Sequence, residues 1–214
     1  MTSNFEITRG CKIPMIRHAN AQTPVSINPN VWTAYPEIKA VIAEPPAFIS
    51  RNDLKDAAVS AFERDDLSDL PKLFVKTMMW GSGTTNGRGP RYTASALRRS
   101  DIAQLMMKIH EDLTGGKIEE AYGLHKKIHG VGPSFHTKLL WVIGSVIENK
   151  ALTPLILDDR VWAGLKRIGW NSRRSAGSRD RGKRYRAYLS ACDFWAKENH
   201  CSQEDIEFTL FDLV

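Results

Sequence analysis

The feature that most constrains this chain is the run Ile128-His129-Gly130-Val131-Gly132-Pro133-Ser134, which lies between two stretches of helical hydrophobic spacing. Two helices joined through so few residues have to fold back sharply, and glycine tolerates the positive φ angles and close backbone approach that such a turn needs. Pro133 falls at or near the first position of the second helix, where a missing N–H costs nothing. The unpaired N–H groups of Gly132, Ser134 and Phe135 then point outward at the positive end of a helix dipole, which suits an anion such as a DNA phosphate. A Gly-x-Gly turn is also an ordinary way to close a pair of helices, so its meaning depends on the sequence around it.

That sequence reads as helical from residue 50 onward. Ser50 with Asp53 has the pattern of a capping box opening a helix to about residue 64. Ser68 and Pro71 start a second, in which Leu73, Phe74 and Met78 recur at three to four residues. The run Gly81-Ser-Gly-Thr-Thr-Asn-Gly-Arg-Gly-Pro-Arg91 breaks it. Ser100 caps a third helix that ends at Gly115-Gly116. Residues 117–127 and 135–149 flank the glycine turn, 159–168 and 184–199 follow, and Ser202 with Asp205 caps a last short helix. No alternating strand pattern competes. The expectation is an all-α fold of about eight helices in a single domain over residues 50–214. Residues 1–49, rich in Pro and Asn, read as an irregular N-terminal arm with a short extended segment at 5–7.

Composition excludes several classes. At 214 residues the chain is long enough for one domain, and 42% hydrophobic with 25% charged residues is ordinary for a soluble protein. No apolar run approaches the roughly 20 residues that span a bilayer. The N-terminus lacks the apolar core of a secretory signal, and three scattered cysteines (Cys11, Cys192, Cys201) fit reduced thiols. The expectation is a cytoplasmic monomer that needs no cofactor and no metal. Three cysteines cannot hold a four-cysteine iron–sulfur cluster, and no histidine spacing suggests zinc.

The net charge is +6, and its distribution says more than its size. Between Lys166 and Arg186 nine Lys and Arg residues, Arg173 and Arg174 among them, face one acid, Asp180. The loop they occupy has almost no apolar residues and reads as solvent-exposed, either a simple solvated loop or a surface for a polyanion.

Downstream of the glycine turn the chain runs Phe135-His-Thr-Lys138-Leu-Leu, then Pro154-Leu-Ile-Leu-Asp158-Asp-Arg-Val-Trp162. The hairpin, helix and apolar-Asp-x-x-x-aromatic segment together resemble the helix-hairpin-helix DNA glycosylase superfamily. Within it the chain looks most like the small 8-oxoguanine-glycosylase-like proteins of bacteria and archaea, over roughly residues 70–214. The resemblance implies a helix-hairpin-helix DNA-binding motif, DNA as partner, extrusion of a modified base and cleavage of its glycosidic bond. It implies that Asp158 is the catalytic carboxylate, since its spacing to Trp162 fits better than that of Asp159. As a helix N-cap it would stabilise an oxocarbenium-like sugar, activate water or deprotonate an amine.

Bifunctional members of that superfamily carry a lysine just after the hairpin, and here the ungapped position is Ser134. Lys138 lies one helical turn further on the same face and is expected to be essential, as a nucleophile that leaves a Schiff base; the alternative is that it binds a phosphate or points to solvent. Without it as nucleophile the enzyme is monofunctional and uses water. His129, Gly130, Val131, Gly132, Ser134 and Lys127, with Lys126, are expected at the DNA backbone. For the base pocket the candidates are Trp80, Arg88, Trp162, Phe208 and Phe211, with Trp80 either a stacking platform or plain core. The polar run 81–91 would suit a base with a hydrophilic adduct. The substrate is therefore either an oxidised purine, in repair, or a bulky modified cytosine of phage DNA, in antiviral defence. The alternative is a non-catalytic DNA-binding module.

Overall fold

A computed structural model describes residues 8–63, 67–148 and 152–214. In chain order it has β1 (Val25–Ser26), α1 (Pro29–Thr33), α2 (Pro36–Val41), β2 (Phe48–Ile49), α3 (Arg51–Phe62), α4 (Leu70–Gly81), α5 (Gly89–Arg99), α6 (Ile102–Thr114), α7 (Ile118–Gly123), α8 (Pro133–Gly144), α9 (Asp159–Arg167), α10 (Ser172–Ala176), α11 (Arg181–Glu198) and α12 (Gln203–Asp212). Short 3-10 turns occupy Ala19–Ala21, Leu67–Asp69 and Leu124–Lys127. The fold is mostly helical, as expected, but there are twelve α-helices among the described residues rather than eight.

The four extra helices have two causes. Three of them (α1, α2 and α5) begin at or one residue before a proline, which reads as a break but is pre-organised for a first helical turn. The fourth, α10, sits inside the basic segment, capped by Asn171, whose side chain accepts from the Arg173 and Arg174 N–H groups. The basic stretch is thus no open loop, and α11 starts three residues earlier than its sequence suggested. The N-terminal arm also holds more order than expected, with β1 and β2 paired antiparallel. The segment expected at residues 5–7 and the helix end expected near 64 lie outside the described residues, while the helix expected to reach 149 stops at Gly144. Where the sequence suggested Ser100, the cap of α6 is Asp101.

Helix α8 sets the architecture. Residues 136–144 are all buried, and a helix apolar on every side has to lie inside. Helices α3, α4, α6 and α7 pack around it, and α9 to α12 form a second group in which α9 lies along α12 and α10 and α7 lie against α11. The arm straps the outside of α12. The backbone of Arg17 donates to Thr209 Oγ1 at 2.8 Å and that of Ala19 to Asp205 Oδ1 at 2.8 Å.

Between the two groups runs an extended apolar segment, Thr153 to Leu157, with no β-partner. Four of its buried backbone groups are satisfied by side chains instead, since an unpaired one would be costly. The Tyr185 hydroxyl accepts from Leu155 N at 3.2 Å and donates to Leu155 O at 2.7 Å, Tyr188 donates to Ile156 O at 2.8 Å, and Leu157 N donates to Thr137 Oγ1 at 3.0 Å. This segment ends at Asp158.

Candidate active site

Asp158 caps α9, its Oδ1 accepting from Val161 N at 3.1 Å. Its other oxygen, Oδ2, accepts from Lys138 Nζ at 2.9 Å. Lys138 is only 7% exposed, so this is a largely buried ion pair joining α8 to the start of α9. Burial alone would raise the Asp158 carboxyl. The Lys138 charge and hydrogen bond, with the N–H groups of Val161 and Arg160, outweigh it and hold the acid below its ordinary range. The lysine beside the aspartate is therefore Lys138; Ser134 sits a turn earlier, its carbonyl accepting from the Thr137 hydroxyl.

Room for Lys138 comes from Gly81 at the end of α4. A Cβ there would stand 2.8 Å from Lys138 Cδ and 3.0 Å from the Phe135 ring, whose centre lies 5.6 Å from Nζ. Gly81 read only as a helix breaker in the sequence; its role as a gap became visible once α4 was placed against α8.

Under this pair lies a second one that sequence reasoning missed. Arg51 donates from both terminal nitrogens to the two Glu207 oxygens, each at 3.0 Å, and its Nε donates to Gln22 Oε1 at 2.6 Å. The guanidinium also lies 4.9 Å from the Trp141 ring and 5.6 Å from that of Trp80. Burial pushes the Glu207 carboxyl up against the pull of Arg51, and the Asp158 charge pushes the same way.

The turn before α8 differs in detail from its reading. Residues 117–127 are α7 followed by a 3-10 turn, and only Gly130 has positive φ, at +79°. Gly132 is the α8 N-cap at φ −80°, and nothing lies within 4 Å of where its Cβ would be. Helix α5 buttresses the turn: a Cβ on Gly130 would lie 3.3 Å from Tyr92. His129 is held by Ser95 and Arg99, each at 3.0 Å, and its N–H donates to Ser100 Oγ. Val131 is buried, while Lys126, Lys127, His129, Gly130 and Gly132 are exposed.

The expected base-pocket residues do not converge. Trp80 is 5% exposed and stacks on Trp141 with ring centres 5.6 Å apart, so it is core and offers no free face. Phe208 is buried and stacks on the half-buried Phe211, whose ring is covered by the Arg160 guanidinium at 4.0 Å. Trp162 is half-buried under Arg184, and Arg88 is exposed at the α5 cap. Nor is the run 81–91 a roomy wall. Asn86 is buried and accepts from Trp32 Nε1 at 2.7 Å, and from Gly89 the chain is already helix. Arg173 and Arg174 are exposed on α10.

Fold and site together define a class: a helical protein in which a buried lysine–aspartate pair lies behind an exposed glycine turn. The chain belongs to the family described as "Putative 8-oxoguanine DNA glycosylase OGG-like protein", whose model matches residues 18–211 and so takes in most of the arm. No curated protein and no solved structure matches it. No helix of the described residues is long and apolar enough to cross a membrane.

Proposed function

We propose that this protein is a DNA glycosylase that extrudes a modified base and cleaves its glycosidic bond with Asp158 and Lys138. The observation that carries the reading is the 2.9 Å Lys138–Asp158 pair at the α9 N-terminus. A carboxylate at a DNA-facing surface repels phosphate, so a simple binding module gains nothing from holding one there. An enzyme does gain, because the same charge stabilises an oxocarbenium-like sugar as the base departs. The exposed turn and the first turn of α8 act as a helix-hairpin-helix clamp on the backbone, with the free N–H groups taking a phosphate.

Lys138 in this reading is the nucleophile. Its ammonium yields a proton to Asp158, the free amine attacks C1′ while the C1′–N bond breaks, and the base leaves with the bonding electrons and takes that proton from Asp158, which restores the carboxylate. Opening of the sugar ring gives a Schiff base between Nζ and C1′, which water hydrolyses or which loses the 3′ phosphate by elimination. The family description favours an oxidised purine as substrate. The pinned 82–88 loop removes the structural motive for a bulky cytosine.

The test is incubation with duplexes carrying 8-oxoguanine or glycosylated hydroxymethylcytosine, with mass spectrometry of released bases. Asp158→Asn is expected to keep DNA affinity and to lose about 100-fold or more in release rate. Unchanged release by that variant overturns the assignment. Borohydride is expected to trap wild type on DNA and not Lys138→Gln.

A further inference from the structure

Beside the ion pair lies a cavity of about 300 Å³ that the reaction does not use. Ser134 lines it from α8, Asp159 and Trp162 from α9, Tyr122 from α7, and Arg181 and Arg184 from α11. Among the described residues neither arginine forms an ion pair. Arg184 donates from Nε to Ser172 Oγ at 2.9 Å, and its guanidinium carbon stands 5.4 Å from the Trp162 ring centre. Burial first, and then the like charge of Arg173, hold Arg184 below its ordinary value, with Arg181 adding to the effect. Two arginines without an acidic partner lining one hollow are explained by an anion that fills it.

The helices add to the same field. Helices α8, α9 and α11 begin at Pro133, Asp159 and Arg181, so three positive dipole ends converge on the cavity. Among the six lining residues named, Asp159 is the one carboxylate, and it is exposed at the first position of its helix. The two arginines and the Ser134 and Tyr122 hydroxyls offer the donors that a phosphate takes. Position narrows the ligand further. Ser134 is one helical turn before Lys138 and Asp159 follows Asp158, so the cavity and the ion pair share a wall.

We propose that this cavity seats a phosphodiester of the bound strand, the one adjoining the sugar held against Asp158 and Lys138. This rests on the glycosylase reading. Its effect is to fix the sugar's distance from the carboxylate while the hairpin holds a phosphate further along. Trp162 then serves by bracing Arg184 rather than by touching the base.

The experiment uses a duplex with a single tetrahydrofuran abasic analogue, which requires no knowledge of the excised base. Anisotropy gives its affinity for wild type, Arg184→Met and Arg181→Met, with circular dichroism confirming their folds. In a duplex series each phosphate near the analogue is replaced in turn by a neutral methylphosphonate. For wild type one phosphate adjoining the analogue is expected to stand out, with affinity falling about tenfold on neutralisation. In each variant the affinity starts several-fold lower, the same replacement costs less than twofold, and other positions are unchanged. The log–log salt slope is expected to fall by about 0.9.

If either folded variant shows the wild-type methylphosphonate profile, the cavity does not seat that phosphate. If millimolar inorganic phosphate at fixed ionic strength raises the wild-type melting temperature and not that of Arg184→Met, while the duplex profiles coincide, the ligand is free phosphate and the proposal fails. Failure of wild type to bind any abasic duplex removes the glycosylase reading itself.

Discussion

Gly130 and Gly132, two residues apart in one turn, owe their identity to different causes. At φ +79°, with Tyr92 3.3 Å from the site of a Cβ, Gly130 is required by the fold. Gly132 has ordinary φ and open space, so nothing within the chain excludes a side chain there. On the proposed function, what excludes one is an approaching DNA backbone. Gly130→Ala is expected to cost about 1–2 kcal/mol, read as a lower urea midpoint. Gly132→Ala is expected to leave the midpoint within about 0.5 kcal/mol and still weaken DNA binding several-fold. Equal affinities for Gly132→Ala and wild type would remove the hairpin as a clamp. Asp158 is legible locally as a cap before a helix, while its pairing with Lys138 could be anticipated only from the resemblance to the helix-hairpin-helix glycosylases. The Arg51–Glu207 pair was not legible, because its partners are 156 residues apart and each sits in an unremarkable helix.

At the scale of elements, the helices that could be read were those with capping boxes and glycine stops, and both predicted capping boxes are present at Ser50 and Ser202. Helix α5 went unread because Gly89-Pro90 looks like the close of a break. Yet α5 carries Tyr92, Ser95 and Arg99, the residues that fix the hairpin from outside. The extended segment before Asp158 was read only as an apolar run. What makes it an element is the set of hydroxyls on α8 and α11, which no local pattern reveals. Tyr185→Phe removes both hydrogen bonds to Leu155 and leaves a fully buried N–H and C=O unsatisfied. That is expected to cost about 1–3 kcal/mol in denaturant unfolding. Because Asp158 lies three residues further on, the single-turnover rate should fall as well, with DNA affinity retained. A destabilised Tyr185→Phe with the wild-type rate would show that the tyrosine supports the fold without positioning the carboxylate.

For the whole molecule, α8 begins at the hairpin and carries Lys138 little more than a turn further on, so anything that disturbs it reaches hairpin and ion pair together. His136 is the point where acid does this. It is fully buried, and its Nε2 donates to Ala121 O at 2.8 Å, tying α8 to α7. Burial lowers its pKa to about 4, with the nearby His125 adding to the effect and the Ala121 hydrogen bond opposing it. The folded protein keeps His136 neutral while the unfolded chain protonates it near 6.5, so its contribution is complete above pH 6.5 and is lost as pH falls towards 4. Between pH 7 and pH 5 the loss is expected to be about 2 kcal/mol. His110, also lowered by burial, acts in the same direction. Glu207, raised by burial, acts against it, and the depressed Asp53, Asp158 and Asp205 lose their contributions only below this window. Urea unfolding at the two pH values should therefore show wild type losing stability on acidification. His136→Gln, whose amide N–H can still reach Ala121 O, should show a dependence flatter by about 2 kcal/mol. Since the α7–α8 tie leads directly into the hairpin, DNA binding by wild type should weaken over the same interval beyond what His136→Gln shows. Identical pH dependence in the two proteins would place the acid sensitivity elsewhere and leave His136 as packing alone.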